Sequence, residues 1–178
     1  MIETERLTMR PFCEGDLDII MSLYSNEEIM RYMPNDIMDA KKAQKHLDKI
    51  ICGWEEKPQV NFEMAVILTD TQEKIGRSRI HLDYETDTAM IGWLLLKKVW
   101  GNGYAAEMTR ALIDYSFDIL KVHRVCALCH PQNIGSWKVL EKCRMRREAH
   151  FIQNCKYVKH GRIIWEDELE YAILKSEH

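Results

Sequence analysis

The stretch KKVWGNGYAAEM, residues 97–108, constrains the fold more than any other, because two glycines stand where an apolar run gives way to a helical pattern. Gly101, Gly103 and Ala106 fit the template G-x-G-x-x-G/A, which in a doubly wound parallel sheet marks a dinucleotide site. Glycine lacks a Cβ, so the backbone there can turn sharply and approach a ligand closely. The first turn of the helix that follows then offers unpaired N–H groups and the positive end of a dipole, which suit a pyrophosphate.

That local physics serves a dinucleotide, the pyrophosphate of coenzyme A, or a strand-to-helix connection with no ligand. Chain order separates the first two. ERLTMRP alternates as a strand, and Glu14–Tyr24 carries Leu17, Ile20, Met21 and Tyr24 at helical spacing. A short helical NEEIMRYM capped at Asn26 follows, then a helix from Asp39 to about Glu56. FEMAVILT and KIGRSRIHLD read as a hairpin around DTQE, and TAMIGWLLL as a further strand after a short polar turn. Short turns imply antiparallel pairing, whereas the Rossmann fingerprint belongs to a βαβ unit of a parallel sheet. The Rossmann pattern also needs an acid about 20 residues beyond the loop, and KVHRVCALC supplies none.

Beyond the glycines, Met108, Ala111, Leu112, Tyr115 and Ile119 form an apolar stripe with Glu107, Arg110, Asp114 and Asp118 largely opposite, which predicts an amphipathic helix. HRVCALCH is the next strand, NIGSWKVLEKC a shorter helix, and EAHFIQNCKYV and RIIWEDELEYAIL two last strands around KHGR. With 178 residues, the simplest organisation is one domain spanning 1–178.

The net charge of −3 with scattered Lys and Arg gives no footprint for nucleic acid, and no apolar run reaches membrane-span length. MIETERLTMRP has neither the basic nor the apolar region of an export signal, so a cytoplasmic protein with free thiols is expected. CALCH at 126–130 matches a haem-attachment pattern and half a zinc site. On a strand, however, Cys126 and Cys129 point to opposite faces and do not chelate one ion easily, so no metal is expected.

Four segments in order resemble the GNAT-type N-acetyltransferases, and within them the branch of the ribosomal-protein N-acetyltransferases RimJ and RimL. They are IETERLTMRPFCEGDLD, IGWLLLKKVWGNGYAAEM, HPQNIGSWKVLEKC and GRIIWEDELEYAILKSE. The resemblance implies an α/β (α+β) fold: a mixed, largely antiparallel sheet flanked by helices and splayed at an acetyl-CoA site. It implies that the Gln/Arg-x-x-Gly-x-Gly/Ala loop falls on Lys98, Gly101 and Gly103, with Asn102, Tyr104 and Ala105 as further backbone donors. It places the pantetheine arm on the backbone around Leu94 and Leu96, with Gly92 at a splaying bulge. Asn133 and Ser136, one helical turn apart, would address the coenzyme, with Ser136 as the acid for the departing thiolate.

Two positions depart from the family pattern. Leu140 stands where many members have a thiolate-protonating Tyr, and Met90 where several have a Glu base. His81 becomes the first candidate base by type, with Glu63 and Glu85 behind it. The expected activity is acetyl transfer from acetyl-CoA to a primary amine, either a protein N-terminal α-amine or a small molecule such as a polyamine, amino acid or antibiotic. A non-catalytic acyl-CoA-binding module is the rival from another class, and an NAD-dependent oxidoreductase a distant third. A homodimer is compatible with this reading, and neither nucleic acid nor membrane is an expected partner.

Overall fold

A sheet's apolar face must be buried against another layer, and the 178 residues of this chain, all described by a computed structural model, do this with one eight-stranded sheet between two helical layers. The strands are β1 (Ile2–Glu3), β2 (Leu7–Pro11), β3 (Asn61–Leu68), β4 (Lys74–Asp83), β5 (Thr88–Leu95), β6 (Arg124–Cys129), β7 (Arg146–Lys159) and β8 (Arg162–Leu174). The helices are α1 (Leu17–Tyr24), α2 (Ala40–Gly53), α3 (Tyr104–Asp118) and α4 (Ile134–Lys142). The sheet order is β1-β2-β3-β4-β5-β6-β8-β7, antiparallel throughout except where β5 meets β6. The mixed, largely antiparallel fold is thus the one the sequence implied. No helix is long and apolar enough to cross a membrane.

Alternation assigns the two faces. Phe62, Met64 and Val66 of β3 and Val125, Ala127 and Cys129 of β6 join the larger core, which also takes in Met108, Leu112 and Phe117 of α3. Ala65 and Leu94 face the other way, into a smaller core with Ile20 and Leu23 of α1 and Leu47 of α2. Cys126 and Cys129 therefore lie on opposite faces of β6. Burial pushes the Cys129 thiol up to about 12, with help from Glu168.

The parallel ladder between β5 and β6 covers only Thr88–Met90 against Arg124–Cys126. Beyond it β6 stays fully paired with β8, and β5 stays fully paired with β4, so the two strands part and the sheet opens. The β4–β5 register runs unbroken from Gly76↔Leu95 to Asp83↔Thr88, so no bulge at Gly92 causes the opening, contrary to expectation. It arises because β6 follows β8.

Two other expectations are corrected. Residues 27–33 form turns instead of a helix, with Asn26 Oδ1 accepting from the N–H groups of Glu28 and Ile29 at 3.0 and 3.1 Å. The nearby carbonyls serve the last hairpin: Tyr157 Oη donates to Tyr32 O, Val158 N–H to Pro34 O, and Lys159 Nζ to Met30 O and Asn35 O. On α3 the buried face is rotated from the expected stripe. Ile113 and Phe117 are buried while Ile119 is 62% exposed, because the helix packs against both the sheet and α4.

Candidate active site

The glycine loop connects β5 to α3, with Gly101 at φ 80° and Gly103 at φ 83°, the latter capping the helix. These are left-handed conformations that favour glycine. The N–H groups from Gly101 to Ala106 have no acceptor within the chain, whereas Glu107 N–H already donates to Gly103 O at 3.1 Å. A run of aligned, unpaired donors at a helix start is a cradle for an anion. Asn102 folds its own side chain back, with Nδ2 donating to Val99 O at 3.2 Å. Lys98 pairs with Glu73 of the β3–β4 turn, so its ammonium is directed to that turn.

The opening exposes one edge of β5, and hydrogen-bond parity shows which residues present it. Leu96 N–H donates to Ile75 O of β4 at 2.8 Å, and Asp87 O accepts from His123 N–H on the β6 side at 2.8 Å. Since main-chain groups alternate sides along a strand, Leu94 and Leu96 point theirs at β4, and Ile91, Trp93 and Leu95 point theirs at the opening. Leu94 and Leu96, expected to offer their backbone to the pantetheine arm, therefore present it to β4 instead. Leu95 O accepts from Trp100 Nε1 at 2.9 Å and the last parallel pair, Met90↔Cys126, takes the Ile91 N–H, which leaves the Ile91 carbonyl, Trp93 and the Leu95 N–H as the free edge.

Across the opening, Asn133 caps α4, its Oδ1 accepting from Ser136 N–H at 3.3 Å. Leu140, 1% exposed, fills the core four residues after Ser136, so both lie on the helix face turned to the sheet. The Ser136 hydroxyl is half-buried and makes no bond within the chain.

On the α1/α2 face a polar row crosses the sheet where the strands part. Asn61 stands opposite His81 and Glu63 opposite Arg79, while Arg79 in turn faces Gly92 and His81 faces Met90. A side chain at Gly92 would meet nothing within 4 Å, so the row lies beside open space. Asn61 Oδ1 takes His81 Nδ1 at 2.8 Å and Arg79 Nη2 at 3.4 Å. Burial, then the like charge of Arg79, lowers the His81 pKa below its ordinary value. Glu63 Oε2 lies 3.0 Å from Arg77 Nη2, and burial raises the Glu63 pKa. Arg77 Nε, Arg79 Nε and His46 Nε2 are buried without partners. Glu85 sits exposed in the β4–β5 turn, off this row. Further along β6 the same face leads past Leu128 to His130 and a cavity of about 400 Å³ lined by Tyr32, His130, Tyr157 and Glu166 among others.

A sequence profile described as the acetyltransferase (GNAT) domain matches residues 6–146. The chain belongs to the GNAT acetyltransferase family. It is 32% identical over 176 residues to the uncharacterized N-acetyltransferase YnaD of Bacillus subtilis, covering 99% of this chain and 98% of that protein. In fold it is similar to spermidine N-acetyltransferase from Vibrio cholerae, solved in complex with CoA and spermine (TM-score 0.82, 23% identity, 98% of each chain). It is also similar to Mycobacterium smegmatis RimJ, solved in complex with CoA-disulfide (TM-score 0.82, 21% identity, 96% of this chain and 83% of that one).

This GNAT protein is an N-acetyltransferase whose acyl donor is acetyl-CoA. Its own geometry fits that donor: unbonded N–H groups at the glycine loop suit a diphosphate, and the free β5 edge suits an amide-bearing arm. Reasoning from sequence missed Ile91, Trp93 and Leu95, because alternation fixes side-chain faces and leaves hydrogen-bond parity open until the partner strand is known. It also missed Asn61 and Arg79, which reach His81 only through the β3–β4–β5 register.

Proposed function

We propose that this acetyltransferase acts on the α-amine of a peptide or protein N-terminus, entering from the α1/α2 face, with His81 as the base. The observation that carries the proposal is the state of His81. Asn61 Oδ1 also accepts from Arg79, so it is the amide oxygen, and His81 must donate to it through Nδ1–H. Nε2 is left as an unbonded lone pair on an imidazole kept neutral by burial and Arg79.

A base of that strength selects its substrate. Taking a proton from a lysine- or polyamine-type ammonium near pKa 10.4 would cost at least roughly 5 kcal/mol, against roughly 2 kcal/mol from an α-ammonium near 7.8. The row also carries two guanidiniums, Arg77 and Arg79, against the single carboxylate of Glu63, which disfavours a polycation and suits an amine flanked by carbonyl oxygen. Cys126 to His130 spans about 13 Å along β6, room for the few extended residues behind an N-terminus. This reading agrees with the RimJ-type branch.

Acetyl-CoA supplies the activated acyl thioester. The proposed roles of the chain are to hold the diphosphate on the N–H groups of Gly101 to Ala105, align the arm on Ile91 and Trp93, and take the ammonium proton at His81 Nε2. Asn133 flanks the arm, and Ser136 Oγ donates a proton to the leaving sulfur.

A small-molecule polyamine remains a second reading, favoured by Glu166, Glu168 and Glu170 of β8. Those carboxylates are already engaged, by His130, Asn154 and Arg124 respectively. The deciding experiment follows free thiol release from acetyl-CoA with free-N-terminus peptides, N-blocked lysine peptides and spermidine. Free N-termini should lead in kcat/KM by at least tenfold, well inside the more than ~100-fold that a proton-transfer difference of about 3 kcal/mol allows; a preference for spermidine would overturn the assignment.

A further inference from the structure

We infer that Arg6, outside the glycine loop and far from it in sequence, is a positioning residue for the diphosphate end of acetyl-CoA. The inference rests on the loop being that end's site. Glu107 lies in the first turn of α3, where a bare carboxylate would repel a diphosphate held by the same helix terminus. Glu107 is fully engaged by the β1–β2 turn instead. Its Oε1 accepts from Thr4 Oγ1 at 2.6 Å and Arg6 N–H at 2.9 Å, and its Oε2 accepts from Arg6 Nε at 2.7 Å and lies 2.6 Å from Nη2 in an ion pair. Burial alone would raise the Glu107 pKa, but these bonds lower it, so the carboxylate stays charged and its charge is matched by the guanidinium.

Arg6 also shapes the loop. Its Nη1 donates to Asn102 O at 3.1 Å, and its guanidinium lies 4.5 Å over the Tyr104 ring. In a planar trans peptide the C=O and the next N–H point in opposite directions. Drawing the Asn102 carbonyl toward Arg6 therefore turns the Gly103 N–H away from Arg6 and removes a negative dipole from the diphosphate's side. A Cβ on Gly103 would stand 3.5 Å from Arg6 Nη2, so the guanidinium packs directly under the loop's left-handed turn.

The test compares two ligands that share the acyl arm and differ in the diphosphate: acetyl-CoA, by calorimetry, and S-acetylpantetheine, by displacement of labelled CoA. Arg6→Ala should raise the Kd of acetyl-CoA roughly ten- to hundredfold, as for loss of hydrogen bonds to a charged group. The acetylpantetheine affinity should change less than twofold, an outcome that a merely structural role would not produce. Arg6→Ala/Glu107→Ala should recover at least about threefold in acetyl-CoA affinity over Arg6→Ala, because the repelling charge is gone. Arg6→Lys, which keeps charge and loses the fork, should fall between, and serves if Arg6→Ala does not fold. Equal loss for both ligands, unchanged acetyl-CoA affinity in a folded Arg6 variant, or no recovery in the double variant would overturn the inference. Failure of the unaltered enzyme to bind acetyl-CoA would instead remove the coenzyme reading.

Discussion

Asn61 shows how a single amide decides the chemistry of its neighbour, since it fixes which nitrogen of His81 carries the proton. The base is active when neutral, and its pKa lies below the ordinary 6.5. Activity should therefore be level through pH 7 and 8 and fall only on the acid side of the ordinary imidazole value. His81→Gln should lower kcat by ~100-fold to 10,000-fold and abolish that acid limb, which a pH–rate series checks. If the limb persists, the base is elsewhere, with Glu63 next in the row. Ser136→Ala should slow the chemical step while the affinity for acetyl-CoA changes little, because the hydroxyl matters most as charge develops on sulfur. Single-turnover rates beside calorimetry separate this from a binding role; an unchanged chemical step would leave water as the proton donor.

At the scale of elements, β4 and β5 are held so closely that Gly76 has no room for a side chain. A Cβ there would lie 2.3 Å from Leu94 O and 2.6 Å from Leu95 Cδ2, in the strand that borders the opening. Gly76→Ala should cost about 1–3 kcal/mol by overpacking, seen as a lower urea midpoint, and should disturb acetyl-CoA binding through displaced β5. The corner between β2 and α1 depends on Asp16, 1% exposed, whose carboxylate is bonded by Arg10 at 2.6 and 2.9 Å and by Cys13 N–H at 2.9 Å. Burial would raise its pKa, but these bonds hold it down to about 2, against an ordinary 3.8. A depressed pKa contributes stability above 3.8 that is lost as the pH falls toward 2. Asp16→Asn should lose about 2 kcal/mol at pH 7 and show a shallower acid transition, by denaturant melts at several pH values.

For the whole molecule, the opening divides the sheet into β1–β5 and β6–β8, joined directly by the short ladder at Thr88–Met90. A ligand seated between the halves binds the folded state alone and stabilises it by mass action. At 100 times its Kd, acetyl-CoA should add about 2.7 kcal/mol. In a chain of this length that raises Tm on the order of 5–10 °C by differential scanning calorimetry. NAD should produce no shift, because the ribose-binding acid of a dinucleotide fold is missing after β6. A shift with NAD and none with acetyl-CoA would displace the ligand assignment.

The sequence by itself determined the order of the four helices and of strands β2 to β8, and the glycine turn, because side-chain periodicity and positive φ at Gly101 and Gly103 are local properties. It also placed Asn133 and Ser136 one helical turn apart, since helical spacing needs no partner. Only the tertiary structure decided that Ile91, Trp93 and Leu95, and not Leu94 and Leu96, offer their backbone to the opening, because that parity is set by which groups β4 takes. It also decided that the sheet parts without a bulge, that residues 27–33 lend their carbonyls to a hairpin 125 residues away, and that Asn61, Arg79 and His81 meet. Register between strands is a long-range choice made by burial of whole faces, and no local pattern in the chain records it.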